Sequence, residues 1–165
     1  MARNRESCDL PIRVARGLGF SLLAFLLLST GLAWGQPGTE PDQRLLDNLI
    51  SAYFSSWSKA DMQAYKSCFH PKASVYYLDS SGNPRHYLLE DFIAGQTKAH
   101  LAGSKPLTER PTKTTLAMQG RLAQAEVRWQ LQQGSATATG TDYFIFAKTD
   151  TGWKILSLVF EQDKP

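Results

Sequence analysis

Leu45, Leu46, Leu49, Ile50, Tyr53, Phe54 and Trp57 recur at the 3.6-residue period of an α-helix. The spacing predicts one wide apolar stripe that faces inward. A stripe with three aromatic rings has to lie on something broad, and the C-terminal half of the chain supplies it. Leu122–Gln132 alternates Val127, Trp129 and Leu131 against Glu126, Arg128 and Gln130, the pattern of a half-buried strand. The expectation is a helix laid across a curved sheet so that the two enclose a pocket.

Local signals fill in the order. Thr39 is placed to cap the first helix, with Pro41 in its first turn and Asp42 three residues after the cap. The helix is expected to end near Ser58. Asp61 can cap a second helix over Met62–Phe69, which His70-Pro71 should stop. A short strand over Ala73–Leu78, a turn cluster from Asp79 to Pro84 and a returning strand over Arg85–Leu88 follow. Leu89–Ala102 reads as a third helix. Thr108–Gln119, Leu122–Gln132, Ala136–Lys148 and Trp153–Glu161 read as a long antiparallel meander, with a hairpin signal at Thr149–Gly152. The fold class is α+β: a cone-shaped roll in which three N-terminal helices pack over the concave face of a strongly curved antiparallel sheet.

The first 35 residues read differently. Arg3, Arg5, Arg13 and Arg16 precede the apolar run Gly17–Leu28, and Ala33 and Gly35 are small residues before Gln36. This is the layout of a secretory signal peptide, residues 1–35, and implies a periplasmic or secreted protein. The alternative is an uncleaved N-terminal anchor, because Gly17–Trp34 approaches the length of a membrane span. Residues 36–40 form a short linker and 41–163 the folded domain. The signal carries four arginines and two acids, so the remainder holds 14 basic and 13 acidic residues. The basic balance therefore belongs to the signal and does not point to nucleic acid. Membrane contact is expected only through the N-terminal segment. Cys8 leaves with that segment, and Cys68 alone cannot form an internal disulfide; a buried, inert thiol is expected.

Three stretches carry a family resemblance. They are Tyr53-Phe54-Ser55-Ser56-Trp57-Ser58-Lys59-Ala60-Asp61, Phe69-His70-Pro71-Lys72-Ala73 and Gly152-Trp153-Lys154-Ile155. Together they resemble the nuclear-transport-factor-2-like superfamily, most closely its SnoaL-like and lumazine-binding-type bacterial domains. The superfamily spans isomerases, cyclases, dehydratases, transport adaptors and domains without known activity. Its ketosteroid isomerases use a carboxylate base and an oxyanion hole built from a Tyr and a protonated Asp. Counting from Asp61, the resemblance puts Tyr53 at the Tyr donor, Tyr77 at the base and Phe144 or Ile145 at the second donor. A Tyr is a poor base at neutral pH, so that chemistry is not expected.

The candidate pocket residues are Tyr53, Trp57, Tyr77, Asp79, His86, Asp142, Phe144 and Phe160. Asp79 reads as a turn carboxylate bonded to the Ser80–Gly82 backbone, or else as a displaced base. Asp142 can share the face of Phe144, but the cost of an unpaired buried carboxylate favours a strand end near solvent. His86 beside Tyr87 is expected near the pocket mouth. His70, His86 and His100 share no metal-ligand spacing, so no metal and no cofactor is expected. Three functions follow. The first is binding of a small apolar or aromatic molecule without turnover. The second is a homodimer or envelope-protein contact through the outer sheet face. The third is an isomerase-, cyclase- or hydratase-type enzyme using Asp79 or Asp142, with Tyr53 as donor.

Overall fold

The computed structural model describes residues 39–103 and 105–164. The signal or anchor segment, the linker up to residue 38 and Cys8 lie outside the described residues. Helix α1 runs Glu40–Ser58, α2 Met62–Ser67 and α3 Leu89–Ala102. The strands are β1 Phe69–Leu78, β2 Pro84–Leu88, β3 Leu107–Gln119, β4 Leu122–Gln133, β5 Ala136–Thr149 and β6 Gly152–Gln162. They form one six-stranded sheet in the order β2-β1-β6-β5-β4-β3. All neighbours are antiparallel except β1 and β6, which run parallel. The first and last strands of the chain thereby close the middle of the sheet. Irregularities after Phe69, Pro111 and Ile145 shift the register. Such bulges bend a strand and sharpen its twist, which gives the sheet a hollow face.

Both caps act as their residue types demand. The Thr39 hydroxyl accepts from the Asp42 backbone N–H, and the Asp61 carboxylate accepts from that of Ala64. Ala60, at φ 56°, is the one non-glycine residue in the left-handed region among those described, and it forms the sharp step between α1 and α2. Two expectations are corrected here. The second helix stops at Ser67, and Phe69 already begins β1, so Pro71 lies inside a strand. Its missing N–H is tolerated because it falls in the register irregularity between Phe69 and Ser74. Leu45 is not part of the inward stripe: it is 52% exposed, whereas Leu46, Ile50, Tyr53, Phe54 and Trp57 are buried.

The core lies between α1–α3 and the hollow face. Leu46, Phe54, Val75, Phe146, Ile155 and Leu158 are almost wholly shielded. Tyr53 meets Phe144 edge-on at 5.1 Å and tilts against Tyr65 at 4.8 Å, the offset geometry that aromatic quadrupoles favour. One buried polar knot joins the start of α1 to the far hairpin. Asp42 accepts from Trp153 Nε1 at 3.0 Å and pairs with Lys148 at 2.7 Å. The Lys148 hydrogen bond, followed by that of Trp153, holds the Asp42 carboxyl below its usual range. This explains the Trp after the hairpin turn: its ring packs in the core while its N–H anchors a helix. Cys68 is buried and free, and burial pushes its thiol up to about 11, so the inert reading holds. No described helix is long and apolar enough to cross a membrane.

Candidate functional site

Alternation decides which side chains enter the hollow. On β4, Ala123, Ala125, Val127 and Trp129 point inward while Arg128 bonds Thr141 and Asp163 on the outer face. Arg128 therefore belongs to the outer face. On β5 the inward set is Asp142, Phe144 and Phe146, and the outward set includes Tyr143 and Ile145. Phe160 on β6 sits opposite Asp142, and Tyr77 on β1 opposite Phe160. One end of the hollow is thus floored by Tyr77, Phe160, Asp142 and Trp129 in successive strands. Helices α1 and α3 roof it with Tyr53, Trp57, Phe92 and Gln96.

The space has two parts that share a wall. An outer part of about 330 Å³ opens between Tyr77, Tyr87, Asp91 and Gly95. An inner part of about 140 Å³ reaches Tyr53, Tyr65, Glu109 and Asp142. Trp129, Phe92, Phe160, Gln96 and Gln162 line both. The Trp57 indole N–H donates to Gln96 Oε1 at 2.8 Å, which fixes one wall. Ser58 holds β3 beside the end of α1 by donating to the Glu109 carbonyl at 2.9 Å and accepting from its N–H at 2.8 Å. Those two bonds set where Glu109 stands.

The inner end is acidic. Asp142 is 3% exposed, and its Oδ1 accepts from Trp129 Nε1 at 2.9 Å. Its Oδ2 has no hydrogen-bond partner among the described residues. Burial pushes the Asp142 carboxyl up to about 7, against the pull of the Tyr53 hydroxyl and the Trp129 N–H. Burial, and then the charge of Asp142, raises Glu109 well above the usual carboxylate range. Burial and the nearby acids also raise Tyr53, which stays a neutral hydroxyl. Asp142 can therefore take up or release a proton near neutrality, beside a donor that keeps its own.

The eight candidate residues divide. Tyr53, Trp57, Tyr77, Asp142 and Phe160 line the cavity. Phe144 lies under Tyr53 in the core. Asp79 accepts from the N–H groups of Ser81 and Asn83 and stands 3.7 Å from Arg85, so it is the turn carboxylate and not a base. His86 is corrected: it is exposed and lies over Tyr76 at 4.8 Å, on the face away from the cavity. The strand-end placement of Asp142 near solvent is also corrected, because Trp129 supplies the partner that lowers the cost of burial. The hollow accordingly does hold proton-handling groups. Glu109 and Trp129 join the site from outside the eight candidates, although alternation along β4 does turn Trp129 inward. The signal for Trp129 was Gly140 within a strand, a mark of close approach by another group.

A curved, unclosed sheet with a helix-roofed hollow of this topology defines a nuclear-transport-factor-2-like domain. Solved structures agree on the fold. An NTF2-like protein of unknown function from Pseudomonas putida KT2440 is 10% identical, with a TM-score of 0.67 over 79% of this chain and 92% of that one. A protein of unknown function with a cystatin-like fold from Nostoc punctiforme PCC 73102 is 13% identical, with a TM-score of 0.65 over 78% and 96%. An NTF2-like protein of unknown function from Shewanella baltica OS155 is 15% identical, with a TM-score of 0.60 over 78% and 99%. No curated protein matches the chain. Within the superfamily the chain belongs to the family described as "Putative lumazine-binding", whose model matches residues 41–161.

Proposed function

We propose that this protein binds a small, flat aromatic molecule in the cavity between α1, α3 and the hollow of the sheet. The observation that carries the reading is the continuous aromatic lining from Tyr77 and Tyr87 at the mouth to Trp129 and Tyr53 inside. Apolar walls with a few convergent polar groups are what small-molecule sites present. The family description supports ligand binding of this kind. Export through residues 1–35 belongs to the same reading, on the sequence pattern alone.

Calorimetry and tryptophan fluorescence with a panel of bicyclic aromatics, lumazine included, test it. Trp57 and Trp129 stand in the walls, so a bound ring changes their emission, and Trp129→Phe halves or abolishes the change. Absence of binding by the whole panel, with no copurifying molecule in native mass spectrometry, overturns the reading. A second reading, proton-transfer catalysis by Asp142 with Tyr53 as donor, is favoured by their meeting in one cavity. A ligand released chemically altered by the wild type and unaltered by Asp142→Asn would establish it.

Self-association through the outer face is supported by Leu122, Tyr143 and Ile145, large apolar side chains exposed on that side of β4 and β5. Light scattering is expected to give a dimer that Tyr143→Glu with Ile145→Lys converts to monomer. A wild-type monomer at high concentration would refute it.

A further inference from the structure

Aromatic walls leave the inner end of the cavity unexplained. Asp142 is almost fully buried, yet its Oδ2 is unpaired. A buried carboxylate oxygen without a donor is costly, and folded proteins keep few of them. The Tyr53 hydroxyl pulls on the carboxyl, yet Oδ2 has no hydrogen-bond partner among the described residues. Trp129 is spent on Oδ1, and Glu109 is a second acid. Among the described residues, the lining of both parts includes Asp91, Glu109 and Asp142, and no Lys, Arg or His. Such a site has nothing to neutralise an anion and offers an acceptor in a desolvated setting, where a charge-assisted hydrogen bond is strongest.

We infer that the ligand is a planar aromatic carrying an N–H donor edge, neutral or cationic, which it directs at Asp142 Oδ2, and that aromatic anions are excluded. This rests on the pocket reading above and adds the polarity and orientation of the ligand. The donor edge completes the unpaired oxygen. The ring then lies between Trp129 and Phe160 on the floor and Phe92 on α3. An amino group beside a ring nitrogen suits two neighbouring carboxyls best, because it can face Asp142 and Glu109 together.

Three quinolines of the same shape test it on the full-length protein at pH 8, above the titration of Asp142: 2-aminoquinoline, 2-methylquinoline and quinoline-2-carboxylate. The amino compound is expected to bind about tenfold or more tightly than the methyl compound, the gain of one charge-assisted hydrogen bond. The carboxylate is expected to bind most weakly. Asp142→Asn should bring the amino-to-methyl ratio to about one, because the ratio reads the donor edge alone. Glu109→Gln, whose side chain is only half-buried, should reduce the ratio in part; it provides the test if Asp142→Asn does not fold. Equal binding of all three compounds would overturn the donor-edge inference and leave the pocket standing. Preferential binding of the carboxylate would do the same. Binding of none, together with failure of the wider panel, overturns both.

Discussion

Asp142→Asn is expected to make the protein more stable at pH 8 and to change it little at pH 4. In the fold, burial lifts this carboxyl to about 7 from an ordinary value of 3.8. Between those values the folded state binds a proton that the unfolded chain has released. Stability therefore falls as pH rises through this window and levels off above it. Asparagine does not titrate, and its amide oxygen can still accept from Trp129 Nε1. The difference between variant and wild type should thus open from pH 4 to pH 7 and then stay constant. At about 1.4 kcal/mol per pKa unit, the gap reaches on the order of 4 kcal/mol. Glu109 titrates in both proteins, and loss of the Asp142 charge eases its own upward shift. Urea denaturation at a series of pH values measures the gap. A difference that does not vary with pH would mean that Asp142 ionises as an ordinary carboxylate.

The carboxyl whose removal stabilises the fold is buried in the wall of the inner cavity. That is the usual relation between a site and its scaffold: the unpaired acceptor costs stability and is available to a ligand. Its burial is also not legible in the sequence alone. Alternation along β5 puts Asp142 on the inner face with Phe144 and Phe146, whereas the cost of burying a lone acid favours solvent. What reversed the balance is a hydrogen bond from Trp129, and Trp129 reaches Asp142 only because strands β4 and β5 pair with Val127 opposite Asp142. Register is a long-range property, and local periodicity does not supply it.

Glu109 was illegible for a related reason. The strand over Thr108–Gln119 is rich in Thr and has Pro111 near its start, so it reads as beginning at an edge. The irregularity between Pro111 and Lys113 shifts the phase of β3, and Ser58 ties the backbone of Glu109 to α1. The parallel β1–β6 contact joins residues far apart in the chain and left no local trace. By contrast, the helices with their caps, the turn at Asp79 and the meander were legible, because each rests on a short-range rule: a cap oxygen, a 3.6-residue stripe, a two-residue alternation. For His86, nearness in sequence to Tyr87 does not imply nearness in space. On a strand the two face opposite ways.

Gly140→Ala is expected to be among the most damaging single substitutions outside the core. A Cβ at this position would lie 2.1 Å from Cζ2 of Trp129 and 2.2 Å from the carbonyl oxygen of Glu161. The first contact forces the indole off the strand, and the second forces β5 away from β6, where Gly140 faces Gln162. If the indole moves, Asp142 loses its donor and both its oxygens are left unpaired in a buried site. Overpacking alone costs about 1–3 kcal/mol, and stranding the carboxylate adds roughly as much again. Denaturant midpoints, with the emission of Trp129 as the local reporter, measure the sum. Gly95→Ala on α3 is the matched control: nothing lies within 4 Å of its added Cβ, and a helical alanine gains about 0.5–1 kcal/mol over glycine. The same chemical change should therefore have opposite signs at the two positions. Pairing Gly140→Ala with Trp129→Phe separates the two contacts, because the shorter ring relieves the first and leaves the second. A cost that shrinks in the Phe background assigns the strand glycine to the indole. An unchanged cost assigns it to the β5–β6 spacing, and would mean that Gly140 shapes the sheet and places Asp142 only through it.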